Sequence, residues 1–67
     1  MANVGDLIIC RGETVGIVLE VFEEQAEGAE ASNTDIVWAR VMWASGESTW
    51  EDIKLNTTDN LFKIIKA

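Results

Sequence analysis

The chain has 67 residues, with 12 acids against 5 bases, a formal net charge of −7, one cysteine and no histidine. A chain of this length forms one domain, residues 1–67, and buries only about 60% of the surface that its unfolded form exposes. The acidic balance argues against binding to nucleic-acid phosphates or to anionic membranes, since both need clustered Lys and Arg.

The first apolar residues predict a strand over 4–11, followed by a turn at Gly12-Glu13-Thr14. β-Branched residues predict a second strand over 15–22. Strict alternation gives this strand two faces: Val15, Ile17, Leu19 and Val21 on one, and Gly16, Val18, Glu20 and Phe22 on the other. Because both faces are largely apolar, we expect a central or strongly bent strand, with Gly16 at a bulge or sharp bend.

Residues 23–35 contain five acids, no base and no large apolar side chain. Such a segment cannot offset its ordering entropy by burial, so we predict a long, mobile acidic hairpin loop. A short helix is the alternative, against which Gly28 and the missing apolar stripe argue. Calcium binding by these acids is the other alternative, but their spacing matches no calcium loop, so we expect no metal site.

Residues 36–43 and 47–51 predict the third and fourth strands, and together they hold all three tryptophans. A two-residue turn at Ser45-Gly46 would join them and place both Trp43 and Trp50 in the core. A three-residue turn would shift the pairing by one residue and turn Trp50 over to the other face.

With the two-residue turn, Trp43 pairs with Ser48 and Val41 pairs with Trp50. The core face then holds Val37, Ala39, Val41, Trp43 and Trp50. The outer face holds Ile36, Trp38, Arg40, Met42, Thr49 and Glu51.

A short helical turn is expected over 51–55, a polar turn over 56–60 and a fifth strand over 61–65. Five short strands without a long helix predict an all-β fold, a small and strongly bent antiparallel barrel. Closing the sheet in this way also limits its exposed edges.

Several pieces of the chain carry a family resemblance: Val4-Gly5-Asp6-Leu7, Gly16-Ile17-Val18, Val41-Met42-Trp43, Gly46, Thr49-Trp50-Glu51 and Leu61-Phe62-Lys63-Ile64-Ile65. Their order resembles SH3-like barrels and, more narrowly, small uncharacterised proteins encoded by tailed bacteriophages, including those of cyanobacteria. The resemblance implies a five-stranded SH3-like barrel in which the acidic loop is a variable insertion. It implies no activity, because such barrels host many unrelated roles.

The residues for catalysis are missing. There is no histidine, and Ser45 and Ser48 have no candidate base. Cys10 lies in an apolar run and is interpreted as a small buried hydrophobe. We therefore expect a protein that is not an enzyme and uses no cofactor.

The outer face carries a candidate partner-binding patch formed by Ile36, Trp38 and Met42. An aromatic residue beside methionine on a small domain often marks a protein contact. The alternative is that the acidic loop or the last strand covers this patch. A cation-binding aromatic cage is also conceivable, but the two-residue turn leaves only Trp38 facing outward, and one ring is not a cage.

These features favour a non-catalytic protein-interaction or structural module, phage-encoded, that binds a protein partner or a second copy of itself. The alternative is an acidic decoy that occupies the nucleic-acid site of a host protein, which requires acids lined along one face. A ligand-binding or catalytic domain ranks last. With no signal peptide, no membrane span and one unpaired cysteine, we expect a soluble cytoplasmic protein, or a virion component if the chain is phage-encoded.

Overall fold

A computed structural model describes residues 2–24 and 36–67, which form a single antiparallel sheet of five strands and one short helix. The strands are β1 (Leu7–Cys10), β2 (Thr14–Glu24), β3 (Ile36–Trp43), β4 (Ser48–Asp52) and β5 (Phe62–Ile65), and the helix α1 (Ile53–Thr58) lies between β4 and β5. The strand order in the sheet is β4-β3-β2-β1-β5. The mostly β, five-stranded antiparallel prediction is therefore confirmed.

The strand bounds differ from prediction mainly in the first half of the chain. The third strand matches 36–43, whereas β1 begins three residues after the predicted start, at Leu7. β2 runs on to Glu24, so Glu23 and Glu24 belong to a strand and not to the predicted acidic loop. The prediction of a mobile loop over the rest of that segment, residues 25–35, lies outside the described residues, as do its calcium and helix alternatives.

The bulge predicted at Gly16 lies three residues further on. Val18 pairs with Val41 and Glu20 pairs with Arg40, so the bulge falls at Leu19. The extra residue reverses the alternation, and Phe22 consequently faces away from Val18 instead of sharing its face.

Gly16 serves the packing of the core. It pairs with Trp43, and a Cβ atom added at Gly16 would lie 2.8 Å from Cε3 of the Trp43 indole and closer still to a methyl of Val41. The missing side chain makes room for the indole on the inner face of the sheet.

The hydrophobic core lies between the inner face of the sheet and α1. Its buried members are Ala2, Ile8, Val18, Val37, Ala39, Val41, Ile53 and Phe62. Trp43 packs against this cluster. The centroid of its ring lies 5.9 Å from the centroid of the Phe62 ring, in an edge-to-face arrangement. In β3 the predicted alternation is confirmed, since Val37, Ala39 and Val41 are all buried.

The helix begins two residues later than predicted, at Ile53, and takes in part of the predicted polar turn. The Asp52 carboxylate accepts a hydrogen bond from the Leu55 N–H at 2.9 Å and so caps the first turn. The hydroxyls of Thr57 and Thr58 donate to the carbonyls of Ile53 and Lys54. The C-terminal end of α1 is closed by the backbone N–H groups of Asp59, Asn60 and Leu61, which donate to the carbonyls of Leu55, Thr57 and Asn56.

The predicted two-residue turn between β3 and β4 is wrong. Trp43 donates its N–H to the Glu47 carbonyl at 2.8 Å, and its own carbonyl accepts from the Gly46 N–H at 2.9 Å, so the loop has three residues. Gly46 has φ +96° and supplies the left-handed residue that completes a three-residue hairpin loop. Glycine sits at the last loop position here, not at the second position of a two-residue turn.

This loop shifts the pairing by one residue, so that Val41 pairs with Thr49 and Arg40 with Trp50. Trp50 therefore lies on the outer face and is 50% exposed, while Thr49 shares the inner face with Trp43. Glu51 also moves to the inner face, the opposite of its predicted position. The expectation that two indoles fill the core is replaced by one indole, Trp43, packed on Phe62.

In the pairings that the described residues make, β4 and β5 are the two edges of an open sheet. The barrel closure expected from the sequence is therefore not part of the observed pairing. The SH3-like assignment stays a prediction.

Candidate functional site

The outer face of the sheet, opposite α1 and the core, is unusually apolar. Among the described residues, seven large hydrophobic side chains on this face are 37–55% exposed. They are Leu7, Val15, Ile17, Phe22, Met42, Trp50 and Ile65. On the same strands, the inner residues Ile8, Val18 and Val41 are fully buried. Both faces of the sheet thus carry apolar side chains, but among the described residues only the inner face is covered. β5 is an edge strand of the sheet and does not lie over the outer face, and cover by the acidic loop over 25–35 lies outside the described residues.

Three aromatic rings gather at one part of this face. Phe22 on β2 pairs directly with Trp38 on β3, and Trp50 on β4 lies diagonal to Trp38, since it pairs with Arg40 two residues further along. Phe22, Trp38 and Trp50 together line a shallow depression of about 330 Å³. We call it the aromatic cleft. It exists because the three-residue loop turned Trp50 outward and the bulge turned Phe22 outward.

Charged residues neighbour the three aromatic residues in the strand pairing. Glu24 is the next outward residue after Phe22, and Asp52 pairs with Trp38. Arg40 forms an ion pair with Glu20, with 3.0 Å between its Nη2 and the Glu20 Oε1. With Glu20, Glu24 and Asp52 against Arg40, the charge on this stretch of the outer face is three negative and one positive, or −2.

The predicted site residues all lie on the outer face, but the structure divides them. Trp38 lines the aromatic cleft. Met42 lies in a second apolar groove with Leu7, Val15 and Ile17. Ile36 pairs with Glu24 at the far end of β3 and lines neither depression. The structure therefore does not bring the three together into one site.

Two residues of the aromatic cleft, Phe22 and Trp50, were assigned to other positions by sequence reasoning. The outward position of Trp50 could have been predicted, because a glycine three residues after Trp43 suits a three-residue loop as well as a two-residue one. Phe22 carried no comparable signal, since the bulge at Leu19 that reorients it interrupts an ordinary β-branched run.

The inner face contains a larger depression, of about 450 Å³, between α1 and the sheet. Its lining is Glu23, Val37, Ile53, Lys54, Thr57, Thr58 and Ile64. Both threonine hydroxyls donate to carbonyls of α1, so their protons are not available to a ligand. Glu23 and Lys54 are its charged lining residues, and nothing in its lining identifies a ligand. We therefore assign this depression no function.

Near the β3–β4 loop, polar groups on the inner face form a chain that orients Trp43. The indole Nε1–H donates to the Thr49 hydroxyl at 2.7 Å, and that hydroxyl donates to the Glu51 carboxylate at 2.6 Å. Cys10 borders the same region as a partly buried side chain packed on the core. Because these hydrogen bonds hold the Trp43 indole in place, we assign Thr49 and Glu51 a structural role.

Asp6 is a buried carboxylate that ties distant parts of the chain together. Its oxygens accept from the Asn3 N–H at 2.8 Å, the Ala67 N–H at 3.0 Å and the Lys66 ammonium at 3.1 Å. The Asn3 N–H above all, with the Ala67 N–H and Lys66, holds the pKa of Asp6 below its ordinary value, although burial acts in the opposite direction. We assign Asp6 a structural role as well.

No protein-family model, curated protein or solved structure matches this chain. Within residues 2–24 and 36–67, no helix has the length and apolar character that crossing a membrane requires. In the same part of the chain, no three acidic or cysteine side chains come together as a possible metal site.

Proposed function

We propose that this chain is a small non-catalytic module that binds a protein partner through the outer face of its sheet. The observation that carries the proposal is the set of seven large apolar side chains that lie 37–55% exposed on that face. Large contiguous apolar patches on small domains mark interaction sites, and aromatic residues and methionine are enriched where proteins meet.

Charge favours a foreign, basic partner over a second copy. Each copy carries a formal charge of −7, so two copies brought face to face would repel each other. Arg40 is the one basic residue beside the aromatic cleft within the described ranges, and it is already paired with Glu20. A basic surface would complement the remaining carboxylates.

The acidic-decoy alternative finds no support in the described residues. It requires most carboxylates to be aligned on one face, whereas Glu20, Glu24 and Asp52 lie on the outer face and Glu23 and Glu51 on the inner face. Asp6 is buried and engaged. We therefore rank partner binding first.

The SH3-like barrel and the phage origin belong to the same proposal. The strand order β4-β3-β2-β1-β5, with a helical turn before the last strand, agrees with the resemblance in the sequence. The bulge in the long β2 strand adds the bend that barrel closure needs. In this view the module acts in the cytoplasm of a bacterial host or within a virion.

Site-specific photo-crosslinking tests the proposal. A benzophenone amino acid replaces Phe22 in the aromatic cleft or, as a matched control, Leu55, which is equally exposed (56% against 55%) but lies on α1. After irradiation in the cells that express the chain, we expect a discrete heterologous adduct from position 22 that is lost when Trp50→Ser is added. Equal adducts from both positions, none at position 22, or adducts that persist in the Trp50→Ser background would contradict the proposal.

A further inference from the structure

We propose that the aromatic cleft binds an arginine side chain of the partner. This inference rests on the proposed function and names the group that the outer face recognises. It follows from the rings, the charges and the open shape of the cleft.

The rings provide the attraction. The faces of Trp, Tyr and Phe attract cations, and Trp does so most strongly. The aromatic cleft contains two indoles and one phenyl ring on adjacent strands. Phe22 and Trp50 are half in water, 55% and 50% exposed, so a ligand can reach their faces without unfolding the chain.

The charges select a cation. Glu20, Glu24 and Asp52 outnumber Arg40 on this stretch of the outer face, and Arg40 is held by Glu20 at 3.0 Å. A carboxylate beside an aromatic face gives a guanidinium both a stacking surface and a hydrogen-bond acceptor. A neutral apolar side chain would leave the negative charge uncompensated.

The open shape favours arginine over lysine. The rings line a shallow depression and do not enclose a volume, since two of the three are half exposed. A planar guanidinium can lie flat on a single ring face and is only weakly hydrated, whereas an ammonium is compact and strongly hydrated. An ammonium therefore needs rings on several sides before it gives up its water.

An NMR titration of the full chain tests the inference, because the three indole N–H signals report on two faces of one sheet. The probes are three short Gly/Ser peptides that differ only in carrying two arginines, two lysines or two citrullines, the last being an uncharged analogue of arginine. The arginine peptide should shift the signals of Trp38 and Trp50. The signal of Trp43, whose Nε1–H donates to Thr49 on the inner face, should stay in place.

The affinities of the three peptides should differ according to the charge and shape of their side chains. We expect the lysine peptide to bind about threefold more weakly than the arginine peptide, and the citrulline peptide about tenfold more weakly. Trp50→Leu, which keeps an apolar side chain but removes the ring, should weaken arginine-peptide binding about fivefold. Trp50→Phe should retain most of the affinity.

Several results would overturn the inference. Equal binding of the arginine and citrulline peptides would show that charge plays no part, and equal binding of lysine would refute the argument from shape. Comparable shifts at Trp43 would show binding elsewhere. Sedimentation showing a dimer that Trp50→Leu dissociates would make a second copy the occupant.

The two proposals fail in different ways. If crosslinks form at position 22 but the arginine peptide does not bind, the inference fails and the proposed function stands. If the peptide binds but no partner crosslinks, the chemistry of the aromatic cleft stands and the proposed function fails.

Discussion

Truncating Trp43 and Trp50 separately to alanine tests the β3–β4 register on which the aromatic cleft depends. In the two-residue register both indoles would be core residues, and the two substitutions would cost similar amounts of stability. In the observed three-residue loop only Trp43 packs on the core, while Trp50 is 50% exposed. The two costs should therefore differ.

The expected costs follow from what each side chain contacts. A buried indole covers about 200 Å², so a half-exposed Trp50 contributes roughly 100 Å², which is worth about 1.5 kcal/mol after allowing for a compact unfolded state. Trp43 buries more and adds the edge-to-face contact with Phe62 and the hydrogen bond to Thr49, each worth about 1 kcal/mol. Trp43→Ala should thus cost about 4 kcal/mol.

Urea unfolding followed by circular dichroism measures both values without relying on indole fluorescence. A chain of this length has a total stability of roughly 3–10 kcal/mol, so Trp43→Ala could unfold it outright. Trp43→Phe provides the second measurement, because it keeps a ring beside Phe62 and loses mainly the indole hydrogen bond, at a cost of about 1 kcal/mol. Equal losses for Trp43→Ala and Trp50→Ala, or a larger loss for Trp50→Ala, would refute the observed register.

Three further substitutions probe the rest of the fold. Gly16→Ala should destabilise by about 1–3 kcal/mol in urea unfolding, because its Cβ would lie 2.8 Å from Trp43; no loss would mean that the indole does not pack there. The carboxylate of Asp6 has a lowered pKa in the folded chain, so its contribution is present at neutral pH and is lost as the pH falls below about 4, where the unfolded state takes up the proton first. The melting temperature should then fall more steeply below that pH in the wild type than in Asp6→Asn, and parallel curves would contradict this. Asp52→Ala removes the cap of α1 and should cost about 1 kcal/mol in the same urea assay, whereas Asp52→Asn should cost less.

The sequence was most informative where hydrophobic alternation is uninterrupted. β3 matches its predicted bounds and its predicted faces, because Val37, Ala39 and Val41 alternate with larger outward side chains and no insertion disturbs them. β5 is nearly as well placed, since it begins at Phe62, one residue after the predicted start. In both strands the period of two is set by local geometry alone.

The errors arose where one residue changes the period. The bulge at Leu19 and the third residue of the β3–β4 loop each reverse the faces beyond them, and together they bring Phe22 and Trp50 to the same side. The bulge has no distinctive local pattern, because Leu19 is an ordinary strand residue, whereas Ser45-Gly46 suits a loop of either length and left the three-residue alternative open. The sequence therefore predicted the strands but not the bulge that brings Phe22 to the cleft.

The requirements of folding alone do not explain why the outer face of the sheet is apolar. A domain this small has little stability to spare, yet Phe22, Met42 and Trp50 leave 37–55% of their surface in water, which raises the risk of aggregation. Polar residues at these positions would satisfy the same backbone pairing, as Arg40 and Glu20 do between them. The proposed interaction, in which water leaves this face, would add to the contribution that these side chains already make to stability. If Trp50→Ser left both the crosslink at position 22 and the affinity for the arginine peptide unchanged, the interaction surface would have to be sought elsewhere on the molecule.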